Sequence, residues 1–251
     1  MKIGITERGD ASRDFSWENR LKEVDGVILI TKFITDEFIN RVLKWYKIKP
    51  IIVHCTCTGW GGTKFEPQVP HYGIQLIQLS KLINSGFPAE NCVLRVDPIF
   101  PTPKGINVAR NVLIEYENTI KPLGVTRVRV SILDEYRHVK SRFHQAGIPP
   151  VYGSYFGPNE LMRASVAQLM LEFPEVIFET CAEDDLVSLT KNALPLGCVS
   201  SKDLRIMKLP LDTFLENPQR RHGCHCLSCK TELLSNRHRC ENGCLYCYWK
   251  D

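Results

Sequence analysis

The stretch TRVRVSIL, residues 126–133, alternates apolar and polar side chains with a period of two, the pattern of a half-buried β-strand. Its valines and isoleucine share one face, whereas Arg127, Arg129 and Ser131 share the other. The amphipathic stretch 135–146 follows directly and predicts a helix. A strand followed by a helix is the repeating unit of a parallel α/β sheet, so this stretch predicts the fold class.

The same unit recurs along the chain. Apolar runs at 27–31, 51–55, 92–97 and 176–181 each precede an amphipathic stretch, and residues 2–5 form another short run. A chain of 251 residues is long enough for one α/β barrel or for two domains. We expect an α/β fold, a partial (βα)6 barrel of the TIM type over residues 1–215. A Cys-rich segment over residues 216–251 is expected to pack on it.

Composition excludes several classes of protein. With 43% apolar and 24% charged residues, the chain is neither disordered nor a coiled coil. The first residues, MKIGITERGD, lack the pattern of a signal peptide, and no apolar run reaches the roughly 18 residues of a membrane span. We therefore expect a cytoplasmic protein with no membrane partner. A formal net charge of +4 permits contact with nucleic acid but is modest for a dedicated nucleic-acid-binding protein.

Alternation in three strands is expected to bring charged side chains together. Arg95 shares a face with Asp97, Glu179 shares a face with Glu183, and Arg129 lies on the polar face of 126–133. Barrel interiors are usually filled by Val, Ile and Leu. The charges therefore predict either a polar cavity for a charged ligand or a set of buried ion pairs that neutralise one another.

Eleven cysteines suggest a metal site or catalysis, because thiols stay reduced in the cytoplasm. Three of them form the motif Cys240-x3-Cys244-x2-Cys247, with Tyr246 before the last thiol. A four-iron cluster takes four thiolates, one per iron, so three local thiols leave one iron open to a small molecule. The alternative is a zinc site completed by a histidine such as His238.

The motif and its aromatic residue resemble the signature of the radical S-adenosylmethionine (SAM) superfamily. The resemblance implies that the open iron of a 4Fe-4S cluster binds the amino and carboxylate groups of SAM. It also implies that an electron from the cluster cleaves SAM to a 5'-deoxyadenosyl radical. The motif of that superfamily usually follows the first barrel strand. Its position at the end of this chain resembles an uncharacterised bacterial and phage family similar to DNA repair photolyase or spore photoproduct lyase.

This resemblance extends over essentially the whole chain. The segments that carry it are Arg8 with Asp10, and residues 65–67, 95–99, 180–183, 197–198, 224–226 and 243–248. Three positions depart from the usual pattern of the family. His225 stands in place of Gly, Asn242 in place of His, and Trp249 in place of a small residue.

A second group of thiols lies immediately upstream of the motif. Four thiols, Cys198, Cys224, Cys226 and either Cys229 or Cys181, would complete an auxiliary iron-sulfur cluster or a structural zinc site. Spacing alone does not decide the metal. Histidines 222 and 225 are further candidate ligands, and the basic stretches 220–222 and 237–239 either attract an anionic substrate or are solvated surface.

The segment HCTCTGWGG, residues 54–62, follows a predicted strand at the end where barrel active sites lie. Gly59, Gly61 and Gly62 would let the backbone approach a ligand such as SAM. Cys55 and Cys57 are candidate donors of a hydrogen atom to a substrate radical, as the resemblance to spore photoproduct lyase implies. The alternative is a pair of small buried core side chains.

These observations lead to one main hypothesis, a radical SAM enzyme with a C-terminal iron-sulfur segment. Its expected partners are SAM, a reductant such as flavodoxin or ferredoxin, and a nucleobase in DNA or RNA, with a peptide or small metabolite as the alternative substrate. The expected catalytic residues are Cys55, Cys57, Arg95 and Asp97. The expected SAM contacts are Tyr246, Gly59, Gly61, Gly62, Arg129, Glu179 and Glu183.

Two other classes of protein fit the cysteines. One is a non-enzymatic module, stapled by zinc or an iron-sulfur cluster, that binds nucleic acid or a protein. The other is an electron-transfer or redox-sensing protein, which needs a cluster but no deep polar cavity.

Overall fold

The computed structural model describes residues 1–211, 224–234 and 240–249. Within these residues eight strands form one sheet, in which all neighbouring strands are parallel. The strands are β1 Ile3–Ile5, β2 Gly26–Thr31, β3 Ile51–Thr56, β4 Cys92–Ile99, β5 Val128–Ile132, β6 Phe178–Thr180, β7 Ala193–Pro195 and β8 Lys230–Glu232.

Seven α-helices accompany these strands in the described residues. They are α1 Asp36–Tyr46, α2 Tyr72–Asn84, α3 Pro103–Thr119, α4 Arg137–Gln145, α5 Glu160–Leu171, α6 Asp184–Leu189 and α7 Ser201–Ile206. Side-chain caps explain several of their starts: Thr35 accepts a hydrogen bond from the amide of Phe38, and Asn159 accepts one from the amide of Met162. No helix in these parts of the chain is long and apolar enough to cross a bilayer.

The order of strands across the sheet is β7-β6-β5-β4-β3-β2-β1-β8. From β1 to β7, each strand therefore lies beside its neighbour in sequence, and β8, from the Cys-rich segment, pairs with β1. The predicted α/β class is confirmed. Among the described residues the sheet is open, with β7 and β8 at its edges, and does not close into the expected barrel. The sequence predicts six strand–helix units, fewer than the eight strands in the sheet, because β7 and β8 are only three residues long and show no periodicity.

Apolar side chains cover both faces of the sheet. On one face, residues such as Leu29, Val53 and Val130 pack with the helices in the main core. On the other face, which we call the inner face, residues such as Ile5 and Ile28 contact a smaller cluster. That cluster comes from segments 198–209 and 226–229. The end of the chain therefore returns to cover the inner face.

Candidate functional site

The predicted cluster motif lies at the carboxyl edge of the sheet, where the loops after the strands meet. Cys244 and Tyr246 are buried in an apolar cluster with Phe100, which follows β4. The amide of Leu245 donates a hydrogen bond to the carbonyl of Phe65 over 3.0 Å. Ligand sites of parallel α/β proteins collect at this edge, so the motif occupies a position typical of an active site.

Hydrogen bonds to the backbone fix the end of this loop. The guanidinium of Arg142 in α4 donates to the carbonyl oxygens of Cys247 and Trp249, over 2.5 and 2.7 Å. Gly243 has a φ of +65°, in the left-handed region that favours glycine, and turns the chain between the first two cysteines. The loop is therefore held by hydrogen bonds from α4 and by its own turn at Gly243.

The three thiols of the motif lie within electrostatic reach of one another. Burial raises the pKa of Cys240 to about 11 and that of Cys244 to about 12, and the neighbouring Cys247 adds to both shifts. Lys32 favours the thiolate of Cys244. Three thiols on one short loop beside a cation fit the donor chemistry of an iron-sulfur cluster. Among the described side chains of His, Cys, Asp and Glu, no group of three or more has the geometry of a metal site as it stands.

A buried polar cluster that the sequence analysis did not identify as a site lies beside the motif. The carboxylate of Glu66 accepts hydrogen bonds from Lys32 Nζ at 2.7 Å, from Thr58 Oγ1 at 2.8 Å and from the hydroxyl of Tyr246. Burial opposes the charge of Lys32, but Glu66 and Cys244 raise the pKa of its ammonium above the usual value. The sequence feature that could have identified this cluster is Lys32, a charged residue directly after the apolar run 27–31.

Two positions that depart from the family pattern anchor the loop. Asn242 Nδ2 donates to Asp10 Oδ2 over 2.6 Å, and Asp10 also accepts from the hydroxyl of Thr31 at 2.6 Å. The indole of Trp249 donates to the carbonyl of Glu7 over 3.0 Å. The loop is therefore tied to the segment that follows β1.

Arg95 and Asp97 form an ion pair, and Asp97 also accepts a hydrogen bond from the hydroxyl of Ser131. Burial opposes the charge of Arg95, but Asp97 holds the pKa of its guanidinium above the usual value. Electrostatic interactions connect Asp97 with Lys32 on one side and Arg95 with Cys198 on the other. The predicted catalytic pair therefore lies between the two groups of cysteines.

Arg129 and Glu179, both expected SAM contacts, belong to a buried ion-pair network. Glu179 accepts from Arg127 at 2.8 and 3.0 Å, from Arg129 at 2.6 Å and from Lys202 at 2.9 Å. Arg127 also donates to Asp203 of α7 over 2.8 Å. Here the structure favours the alternative in which the charges neutralise one another. The network also holds α7 against the inner face.

Cys55 and Cys57 are fully buried in the main core, on the side of the sheet that faces the helices. Burial raises the pKa of Cys55 to about 12 and also raises the pKa of Cys57. This placement fits the alternative of small core side chains. Glu183 is buried and accepts a hydrogen bond from the amide of Ile132 over 2.9 Å.

The three glycines after β3 differ in the space around them. A Cβ at Gly59 would lie 2.5 Å from Val108 Cγ1, and a Cβ at Gly61 would lie 1.9 Å from the carbonyl oxygen of Pro70. These two glycines are therefore required by the packing of the chain itself. Gly62 has a φ of +75° and is exposed, and a Cβ there would have no heavy atom within 4 Å, so this position faces open space.

The second group of cysteines assembles around Cys198. Its sulfur lies 3.5 Å from that of Cys181, and its amide donates to the sulfur of Cys226 over 3.2 Å. A hydrogen bond with Cys226 lowers the pKa of Cys224 to about 7. The backbone carbonyl of Cys229 accepts a hydrogen bond from the amide of Ile3 in β1. Of the two candidate fourth ligands, the structure brings Cys181 to the group.

The remaining candidates are basic residues near the cysteines. His225 Nε2 lies 2.8 Å from a carboxylate oxygen of Asp184. The stretches 220–222 and 237–239, which include the candidate ligands His222 and His238, lie outside the described residues.

Comparison with protein families identifies a match over most of the chain. A family model described as a domain of unknown function (DUF1848) matches residues 12–249. The match takes in both groups of cysteines and the charged residues of the inner face. No curated protein matches the chain.

Proposed function

The chain belongs to the DUF1848 family, and we propose that it is a radical SAM enzyme. The observation that carries the proposal is the motif Cys240-x3-Cys244-x2-Cys247 at the carboxyl edge of a parallel sheet. When bound by these three thiolates, a 4Fe-4S cluster would supply the electron for reductive cleavage of SAM. The same loop is held by Arg142, which keeps the thiols in place.

The order of the strands supports this proposal. Strands β1 to β7 succeed one another across the sheet, the order found in a singly wound barrel. Helices α1, α2, α3, α5 and α6 pack on one face, which leaves the inner face for the charged residues, α7 and the Cys-rich segment. We take this arrangement as a partial barrel that binds its ligand at the carboxyl edge.

Exposure separates the charged residues that remain available for a ligand from those that do not. The side chains of Lys32, Arg95 and Asp97 are 16%, 10% and 15% exposed, whereas those of Arg129 and Glu179 are 0% exposed. The first three also form a continuous electrostatic chain from Cys244 toward Cys198. We therefore assign contacts with SAM or substrate to Lys32, Arg95 and Asp97.

These groups have the charges that SAM requires. Lys32 and Arg95 can attract a carboxylate, and Asp97 can accept hydrogen bonds from an amine or from ribose hydroxyls. Gly62 adds a backbone position with open space. The chain's own part in the reaction is then to orient SAM beside the cluster loop and to keep water out with the aromatic cluster around Phe100.

The proposed substrate is a nucleobase in DNA or RNA, which the resemblance to the photolyase-like family and the positive net charge favour. A peptide or a small metabolite would use the same cluster chemistry. The proposed reductant is a flavodoxin or a ferredoxin. The cytoplasm is the proposed location, because the thiols must stay reduced to bind iron.

The test is formation of 5'-deoxyadenosine from SAM by anaerobically reconstituted, dithionite-reduced protein. We expect the wild type to form it, and Cys240→Ala, Cys244→Ala and Cys247→Ala each to lose the activity. Cys229→Ser is the matched control, since this cysteine lies outside both groups, and it should retain activity. If the three alanine variants cleave SAM as the wild type does, the assignment is wrong.

A further inference from the structure

The thiols of Cys181, Cys198, Cys224 and Cys226 come together from three separate parts of the chain. Cys181 directly follows β6, Cys198 lies between β7 and α7, and the other two precede β8. Nothing in the proposed reaction requires these four thiols. Their convergence is therefore a feature to be explained separately from the cluster motif.

Two distances within the group are short, and the thiol of Cys224 is hydrogen-bonded to that of Cys226. The sulfurs of Cys181 and Cys198 are 3.5 Å apart, and the amide of Cys198 donates to the sulfur of Cys226 over 3.2 Å. Zinc-thiolate bonds of about 2.3 Å place the sulfurs of a tetrahedral site about 3.8 Å apart. A four-iron cluster holds its thiolates farther apart, because irons and sulfides lie between them. The sulfur separation therefore fits one ion better than a cluster.

The backbone is built for this close approach. A Cβ at Gly197 would lie 2.5 Å from the amide nitrogen of Cys226, so only glycine lets segment 225–226 reach the turn that carries Cys198. The hydrogen bond from the Cys198 amide to a cysteine sulfur is the kind of contact that supports a metal-bound thiolate. The close approach at Gly197 and this hydrogen bond both bring Cys198 and Cys226 together.

The surroundings suit a site with negative charge. Arg95 and Lys230 lie within electrostatic range of Cys198, and Arg129 Nη1 donates to its carbonyl over 3.4 Å. Cys198 and Cys226 are buried, whereas Cys181 and Cys224 are partly exposed. The partly exposed pair gives the ion an entry path and leaves those side chains free to turn onto it.

We propose that Cys181, Cys198, Cys224 and Cys226 bind a single zinc ion in a closed tetrahedral site. The site is structural and independent of the proposed reaction. It ties the segment that carries Cys224 and Cys226 to the ends of β6 and β7, and so holds that segment against the inner face. Cys229, although close in sequence, is not assigned as a ligand. Burial, backbone hydrogen bonds and the N-terminal ammonium shift the pKa of its thiol, whereas the other four thiols interact with one another.

The first test separates this site from the cluster motif. Zinc and iron per chain are measured by inductively coupled plasma mass spectrometry in the triple variant Cys240→Ala, Cys244→Ala, Cys247→Ala. We expect about one zinc and no bound iron, since the four other thiols remain. Iron at about four per chain in this variant would overturn the zinc assignment, and absence of any metal would overturn the site.

The ligand set is tested by single serine substitutions in the triple variant. Cys181→Ser should lower zinc retention after dialysis against a chelator at least tenfold, and Cys229→Ser should leave it unchanged. The reverse pattern would contradict the choice of Cys181.

A spectroscopic measurement covers the case in which a serine variant does not fold. Zinc-edge X-ray absorption of the folded triple variant should give four sulfur neighbours at about 2.3 Å. Nitrogen or oxygen neighbours in place of two or more sulfurs would overturn the four-thiolate site. Failure of SAM cleavage in the wild type would leave all these results unaffected, so the two proposals fail separately.

Discussion

Replacement of Glu179 by Gln distinguishes a structural role for this carboxylate from the SAM contact expected from the sequence. The substitution keeps the shape of the side chain but removes the charge that faces Arg127, Arg129 and Lys202. Removal of one partner from a buried ion pair costs about 3–5 kcal/mol, because the other charges stay buried without compensation. We expect a loss of this size in the free energy of unfolding.

The corresponding change in melting temperature is large. For proteins of roughly 150–250 residues, 1 kcal/mol corresponds to about 2–4 °C, so Glu179→Gln should lower the melting temperature by roughly 6–20 °C. Glu172→Gln is the matched control. Glu172 pairs with Arg110 with two hydrogen bonds, but about a third of each side chain is exposed. Its loss should cost about 0–1 kcal/mol.

The same carboxylate makes stability depend on pH. Burial alone would raise the pKa of Glu179, but Arg129, Arg127 and Lys202 hold it well below its usual range. Its contribution is therefore complete above the unfolded pKa of about 4.3 and is lost as the pH falls toward the folded value. Acidification below about pH 5 should thus destabilise the wild type more steeply than Glu179→Gln.

The assay is urea unfolding followed by circular dichroism, together with calorimetric titration of SAM at a temperature where both proteins are folded. If the role of Glu179 is structural, the variant should lose the stability given above and bind SAM with an affinity within about threefold of the wild type. A variant that keeps its stability within about 1 kcal/mol but loses SAM binding would show that Glu179 contacts SAM and does not serve a structural role.

Three further predictions concern the carboxyl edge. Glu66 holds Tyr246 of the motif by a hydrogen bond, so Glu66→Gln should lower both the iron retained per chain after reconstitution and the melting temperature, because the buried acceptor loses its charge. Unchanged iron content would show that Glu66 does not position the motif. In urea unfolding, Gly61→Ala should lower the free energy of unfolding more than Gly62→Ala, because a Cβ at Gly61 would clash with the carbonyl of Pro70. Gly62→Ala should cost only about 1–2 kcal/mol, the strain of a left-handed φ. The opposite order would show that Gly61 is not required by packing. Cys55→Ala should keep SAM cleavage with a modest loss of stability; loss of substrate turnover with SAM cleavage intact would establish the hydrogen-donor role.

Period-two alternation explains which parts of the fold could be predicted. In 126–133 it placed Arg127 and Arg129 on one face and the apolar side chains on the other, and the buried network with Glu179 confirms that division. Strands β7 and β8 could not be predicted, because three residues are too few to show a period and their pairing is decided by the rest of the sheet.

Contacts between loops explain what the sequence could not show about the site. Lys32 and Glu66 lie 34 positions apart and meet only because the loops after β2 and β3 reach the same edge of the sheet. The choice between Cys181 and Cys229 has the same origin. Cys229 is closer in sequence to Cys226, but the sulfur of Cys181 lies 3.5 Å from that of Cys198. Spacing alone describes local chelation and does not reveal ligands that the fold brings together.

The proposed function requires the loop from Cys240 to Cys247 to bind a cluster with an iron that is open to SAM. The most direct measurement is the electron paramagnetic resonance spectrum of the anaerobic, dithionite-reduced protein, recorded with and without SAM. We predict a reduced 4Fe-4S signal whose g values shift when SAM is added, and its absence from Cys244→Ala. A protein that contains iron but gives the same spectrum with and without SAM, or one that contains zinc alone, would not be a radical SAM enzyme.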